Sequence, residues 1–219
     1  MELEKAAKKV KSFEGNNLAG TLSDIEIRFR GANRVRSEQL RKKFHLGSGF
    51  ISSALELKRA AAQINVMIHA VGILLALPHI LDDDEHIEYL SLGAGNTGRQ
   101  FDLETDKRVA EFKFINWQGG PEVIRQNSLF KDFYSLVEYD SPKMRCLYVL
   151  GKKIPLRFFS GNRTLKSVLS RNNKLEREFF AKYGDKFKVV CEYYAFHKDK
   201  VQIIDVLNIL PEMSYGEKT

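Results

Sequence analysis

Cysteine is scarce in this chain: 219 residues hold two, Cys146 and Cys191, and neither has the neighbours of a zinc or redox motif. Both fall in apolar, strand-like runs, so two buried free thiols are expected. The N-terminal MELEKAAKKVKSFEG lacks the apolar core of a signal peptide, which makes the cytoplasm the expected compartment. There is no repeat, no low-complexity segment and no linker rich in proline, glycine or serine. One domain over 1–219 is therefore expected, with a basic addition at 1–49, a core at 50–150 and a basic extension at 151–219. Formal charge is also missing from the long stretch Ala60 to Leu81. Gln63, Asn65, His69 and His79 interrupt that stretch and Pro78 ends it. A helix over Phe50 to Leu77, buried as the central helix of an α/β domain with His69 a satisfied core histidine, is expected ahead of a membrane span.

What is present is a basic balance, +7 overall with a pI of about 9.3. It is uneven: 1–49 carries a net +5, 50–150 a net −4 and 151–219 a net +6. An acidic middle between basic ends suits a charged site whose flanks hold a polyanion, because lysine and arginine neutralising phosphates supply most sequence-independent affinity. A merely soluble basic surface explains any single patch equally well.

The acidic middle contains the most informative stretch, Arg99 to Trp117, reading RQFDLETDKRVAEFKFINW. Phe101 and Leu103, then Ala110, Phe112 and Phe114, alternate on either side of a polar connection, as in a β-hairpin. With Asp106 and Lys107 as the turn, Asp102 stands across from Glu111 and Gln100 across from Lys113, and Glu104 shares their face. Opposed Cβ atoms lie roughly 5 Å apart, and like charges at that spacing destabilise a sheet unless something compensates them. A hard divalent cation would compensate both carboxylates while keeping waters for exchange, and Lys113 would point at the same water or phosphate. Such an arrangement serves phosphodiester hydrolysis. The competing reading is a solvated charged face of an exposed hairpin.

At Asp102, Glu111 and Lys113 the chain resembles the PD-(D/E)XK nuclease superfamily, although Phe101 stands where that motif has proline. The resemblance implies a restriction-endonuclease-like α/β fold, a mixed central sheet flanked by helices in the core order αβββαβ, with N- and C-terminal additions. It implies that Asp102, Glu111 and the carbonyl of Phe112 bind Mg2+ or Mn2+, and that Lys113 orients the attacking water or stabilises the phosphorane. It offers Glu56, on the first core helix, as a third carboxylate. Ser53-x-x-Glu56 also reads as a capping box, and the two readings stand level. Gln126 and Phe130 correspond to a Gln-x-x-x-Tyr motif of the superfamily's recombination-type exonucleases, with phenylalanine for tyrosine.

The remaining segments fill in the order. Asp24 to Arg30 alternates as a strand would, and Arg34 to Lys43 is a basic helical stretch. Asp82 to Glu85 reads as a solvated acidic turn, and Ile87 to Leu92 as a strand. Gly93, Gly95 and Gly98 satisfy G-x-G-x-x-G, but a phosphate-binding loop must open a helix and Arg99 onward alternates as a strand. Gly119, Gly120 and Pro121 break the chain before an apolar-striped helix bearing Val123, Phe130, Phe133 and Leu136. Met144 to Leu150 reads as a strand buried on both faces. Beyond it come a strand at Leu156 to Phe159, a basic helical stretch from Thr164 to Tyr183, and a hairpin from Phe187 to Leu210 turning at Lys198 and Asp199. The expected function is a metal-dependent nuclease with DNA ahead of RNA as partner, no membrane, and a homodimer left open. The alternatives are a catalytically inactive nucleic-acid-binding or protein-interaction module and, should the glycine loop bind phosphate after all, a nucleotide-binding enzyme.

Overall fold

The structure, a computed structural model, describes residues 2–14, 17–93, 100–117 and 122–214. Most of the glycine loop and the Gly119 to Pro121 break lie outside the described residues. The chain falls into two compact units, Met1–Asn65 and Val66–Thr219.

The first unit is helical: α1 (Glu2–Glu14), α2 (Leu18–Phe29), α3 (Arg34–Lys43) and the first part of α4 (Ser48–Ile80). Asparagine starts two of these helices. Asn17 Oδ1 accepts from the Gly20 amide at 2.6 Å, and Asn33 Oδ1 accepts from the Arg36 amide at 3.0 Å, each satisfying a donor with no partner inside its helix. The strand expected at Asp24 to Arg30 is thus the second half of α2. Its alternation coincides with the stripe Leu18, Leu22, Ile25 and Phe29, which has helical spacing and follows a capping residue. Of this unit's hydrophobic side chains, only Ala6 and Leu40 are fully buried among the described residues.

The second unit holds the sheet. Its elements after α4 are β1 (Ile87–Leu90), β2 (Leu103–Thr105), β3 (Arg108–Lys113), α5 (Val123–Glu138), β4 (Met144–Val149), α6 (Lys153–Phe159), α7 (Leu165–Leu169), α8 (Asn173–Tyr183), α9 (Val190–His197) and β5 (Gln202–Asp205). The strands lie in the order β1-β2-β3-β4-β5, the first three antiparallel and the last three parallel. This is a mixed α/β architecture in which helices cover both faces of a five-stranded mixed sheet. The order read for 50–150, a helix, three strands, a helix and a strand, is the order observed.

Alternation along β3 and β4 sorts side chains to two cores. Ala110, Phe112, Cys146 and Tyr148 meet Ile73, Ala76, Leu77 and Ile80 of α4 on one face. Val109, Leu147 and Val149 meet Leu129, Phe130, Phe133 and Leu136 of α5 on the other, together with side chains of α6 to α9. Paired Phe112 and Tyr148 stack with ring centroids 4.7 Å apart. Gly72 is required where α4 passes Phe114: a Cβ there would lie 2.6 Å from the ring.

Helix α4 is long and apolar enough, by length and composition, to cross a membrane. Within the second unit it buries Ile73, Ala76, Leu77 and Ile80 against the sheet while Val71, Leu74 and Leu75 are exposed, so the expected burial all round gives way to burial on one side. Pro78 sits inside its last turn rather than ending it. The C-terminal region departs further from expectation. Leu156 to Phe159 belongs to α6, and the expected hairpin is α9 followed by β5. That strand pairs in parallel with β4, some fifty residues earlier, a partner that no local pattern announces. Cys146 is a buried free thiol as expected, whereas Cys191 is half-buried on α9.

Candidate active site

The hairpin has the expected register. Leu103 pairs with Ala110 and Glu104 with Val109, and the ladder ends there, with Asp102 and Glu111 just beyond the paired residues. The expected alternation of Phe101 with Leu103 stops at the same point, since Phe101 packs in the core with α5 and Leu103 in the core with α4. Asp102 and Glu111 bind each other's strand through side chains. The Asp102 amide donates to Glu111 Oε2 at 3.1 Å, and the Phe112 amide donates to Asp102 Oδ2 at 3.0 Å. Because the N–H and C=O of one strand residue point the same way, the Phe112 carbonyl faces the Asp102 side of β3.

Glu111 and Lys113 alternate with Ala110 and Phe112 and so face α5. There Lys113 Nζ lies 2.5 Å from Asp132 Oδ2 and 3.1 Å from Ser128 Oγ. Ser128 and Asp132 are four apart on α5 and share the stripe turned to the sheet. From α4, His69 Nε2 stands 3.6 Å from Asp102 Oδ2. His69 is thus a half-buried neighbour of the carboxylate instead of a core histidine, and its ring also packs 5.7 Å from that of Phe114.

Charge is out of balance in this cluster. Burial pushes the Glu111 carboxyl up to about 8, and the charges of Asp132 and Asp102 push the same way against Lys113. Asp132 is also raised, by burial first, with Lys113 opposing. Burial alone would depress the Lys113 ammonium, but Asp132, Glu111 and Asp102 hold it above its ordinary value. Three carboxylates share one buried ammonium, and the deficit raises both Glu111 and Asp132.

Gln126 points elsewhere. It lies about 200° around α5 from Ser128, and its Oε1 accepts from Arg163 Nη1 at 2.9 Å. Glu56 belongs to the first unit, and the residue of α4 found beside Asp102 is His69. The capping box read at Ser53 is corrected: α4 starts at Ser48, Ser53 lies inside it, and its hydroxyl donates to the Gly49 carbonyl at 2.9 Å. Glu104 is on the expected face but is engaged by Lys143 at 3.2 Å and by the Tyr139 hydroxyl at 3.1 Å.

Asp132 and Ser128 escaped the sequence reading, and His69 was expected in the core. Asp132 had a signal: it interrupts the core stripe Leu129, Phe133 and Leu136, where an unpaired carboxylate would be costly. A second surprise lies at the other end of the hairpin. Glu85, expected in a solvated turn, is buried and forms an ion pair with Arg108, whose Nε lies 2.5 Å from Glu85 Oε1. The Thr105 hydroxyl donates to the same oxygen at 2.6 Å. Burial works against ionisation there, yet Arg108 and Thr105 outweigh it and hold the carboxyl at about 2. Arg108 falls on the apolar face of β3, a signal of the same kind.

Among the described residues, no group of three or more His, Cys, Asp or Glu side chains is placed to hold a metal ion. Two carboxylates and a main-chain carbonyl, with water or phosphate oxygens completing the shell, are a donor set that magnesium accepts. The excess negative charge at Glu111 is what a cation would relieve, so Asp102, Glu111 and Phe112 fit a hard divalent ion by chemistry. No family model matches the chain, and neither the curated proteins nor the solved structures contain a match.

Proposed function

We propose that the chain is a metal-dependent nuclease of the PD-(D/E)XK type, hydrolysing phosphodiester bonds of DNA. One observation supports the reading: Asp102 and Glu111 each accept a hydrogen bond from the other's strand, Glu111 and Lys113 share one face of β3, and α5 supplies a buried partner for the lysine. The order α4-β1-β2-β3-α5-β4, with β4 parallel to β3, supports a restriction-endonuclease-like core. Basic segments on both sides of the acidic middle supply phosphate contacts.

In this reading Asp102, Glu111 and the Phe112 carbonyl would hold Mg2+ or Mn2+, with Glu111 as its carboxylate. The bound ion supplies Lewis-acid polarisation of the phosphate and a more acidic water. Lys113 places its ammonium at the attacking water or the charge developing on the phosphate, and Asp132 and Ser128 fix where that ammonium sits. Water forms a bond to phosphorus, the bond to the leaving oxygen breaks, and one proton passes from the attacking to the leaving side. A binding module without catalysis is the second reading, favoured by the Lys113–Asp132 pair, which leaves the lysine already engaged.

Purified protein incubated with plasmid and linear DNA, with Mg2+ or Mn2+ and then with chelator, tests the proposal. Cleavage that needs metal, and that falls on the order of 100-fold or more in Lys113→Ala while DNA binding persists, is the expected result. A wild-type protein that binds DNA and never cuts it favours the binding module. Wild-type cleavage rates in Lys113→Ala would remove this site as the source of activity.

A further inference from the structure

A cavity of about 550 Å³ opens beyond the carboxyl ends of the parallel strands, lined by Asn116, Trp117, Gly151, Lys153, Ile154 and Leu207 among others. Ligands of open α/β sheets collect at such strand ends, and the volume is that of a small-molecule pocket. It adjoins the candidate active site through the backbone: the amide of Leu150, another lining residue, donates to the Lys113 carbonyl at 3.3 Å. Trp117 follows Lys113 by four residues, at most about 14 Å of extended chain.

The lining has a mixed character. Trp117 is only 8% exposed, and its indole Nε1 is shut off from solvent with no hydrogen-bond partner among the described residues. Closed to solvent, that N–H is closed to a ligand in the cavity as well, and Trp117 contributes to the lining through its other atoms. Asn116 is braced, since its carbonyl accepts from Arg125 Nη1 at 2.9 Å while the same nitrogen pairs with Glu122 at 2.6 Å. Ile154 and Leu207 make apolar walls, and Lys153 contributes the cationic side chain among the lining residues.

An aromatic plane, apolar walls, an amide and one ammonium beside a phosphodiester site match the parts of a nucleotide. We propose that this cavity receives one unstacked nucleobase of the strand bound at Lys113, seated against Trp117, with Lys153 meeting the adjoining phosphate. The inference rests on the nuclease reading for its substrate but is tested without catalysis.

Trp117 is the only tryptophan in the chain, so its emission reports on this cavity directly. With chelator present to prevent cleavage, the full chain is titrated with deoxynucleoside monophosphates, with short single-stranded DNA, and with inorganic phosphate and ribose 5-phosphate as base-free controls. The expected result is saturable quenching or shift of emission by the nucleotides and DNA, and none by the base-free controls. Leu207→Phe, which fills the cavity from a half-buried position, should weaken the response on the order of tenfold or more with an unchanged melting temperature. Lys153→Ala should weaken nucleotide and leave free nucleoside unaffected. An absent response to nucleotides, an equal response to phosphate, or an undiminished response in a folded Leu207→Phe protein overturns the proposal. Quenching without cleavage under any metal would keep the pocket and remove the nuclease; cleavage without quenching would do the reverse.

Discussion

Glu85 and Glu111 are carboxylates packed against the same hairpin. Glu85 meets a guanidinium and a hydroxyl, whereas Glu111 meets two further carboxylates and shares one ammonium with them. The outcomes are opposite. Glu85 is held at about 2 and Glu111 is pushed up to about 8. Burial raises both, so the difference comes from the partners. At Glu85 the partners complete a structural pin: Arg108 also reaches the Tyr148 hydroxyl at 3.3 Å, tying the start of β3 to β4. At Glu111 charge is left uncompensated in a place a solvated surface would not require, and such residues mark candidate functional sites.

The comparison breaks hardest at Arg108. Arg108→Ala leaves Glu85 buried without its partner, and a loss of about 3–5 kcal/mol in unfolding free energy is expected by denaturant titration. Replacing both partners with apolar residues, Arg108→Met with Glu85→Leu, should recover most of it, because neither desolvation penalty then remains. If the pair only decorates a solvated turn, the single variant will unfold within about 0.5 kcal/mol of wild type.

Next in size is the pH dependence of Glu111. Its folded value lies above the ordinary carboxyl range, so the folded state binds more protons than the unfolded state between about pH 4.5 and 8. Stability from this group is therefore full below about 4.5 and lost as pH rises through about 8. Melting curves from pH 5 to 8.5 without metal should show wild type losing about 2–4 kcal/mol relative to Glu111→Gln. Parallel curves for the two proteins would mean that Glu111 ionises normally and that the contrast with Glu85 is absent.

The smallest effect concerns the cause of the imbalance. Asp132 is the first of the charges acting on Glu111, so Asp132→Asn should lower the Glu111 titration midpoint, followed by NMR, by on the order of one pH unit. A midpoint that stays put would assign the shift to burial and Asp102.

The part of this contrast visible in sequence was the local part. Register at Leu103 and Ala110 follows from two alternating runs and a short turn, and β4 from an unbroken apolar run, since both depend on residues near in the chain, whereas Phe101 leaves the alternation for the core with α5. Helix α2 was misread because a short stretch of alternating isoleucines also satisfies a helical stripe, and the decisive cap, Asn17, lies outside the alternating segment. Strand β5, Asp132, Ser128 and His69 acquire their roles through elements distant in sequence. Glu85 is the last of four consecutive acidic residues, and composition alone does not distinguish it from the exposed Asp82, Asp83 and Asp84.

Calorimetric titration with Mn2+ at pH 8, on wild type, Asp102→Asn, Glu111→Gln and the Glu85→Leu/Arg108→Met protein, tests most directly the claim that Glu111 and its neighbours are a cation site while Glu85 is a pin. The account predicts one Mn2+ bound with matching affinity by wild type and the Glu85→Leu/Arg108→Met protein, and affinity lower by on the order of tenfold or more in Asp102→Asn and Glu111→Gln. Equal Mn2+ affinity in all four folded proteins, or no binding to wild type, would contradict it.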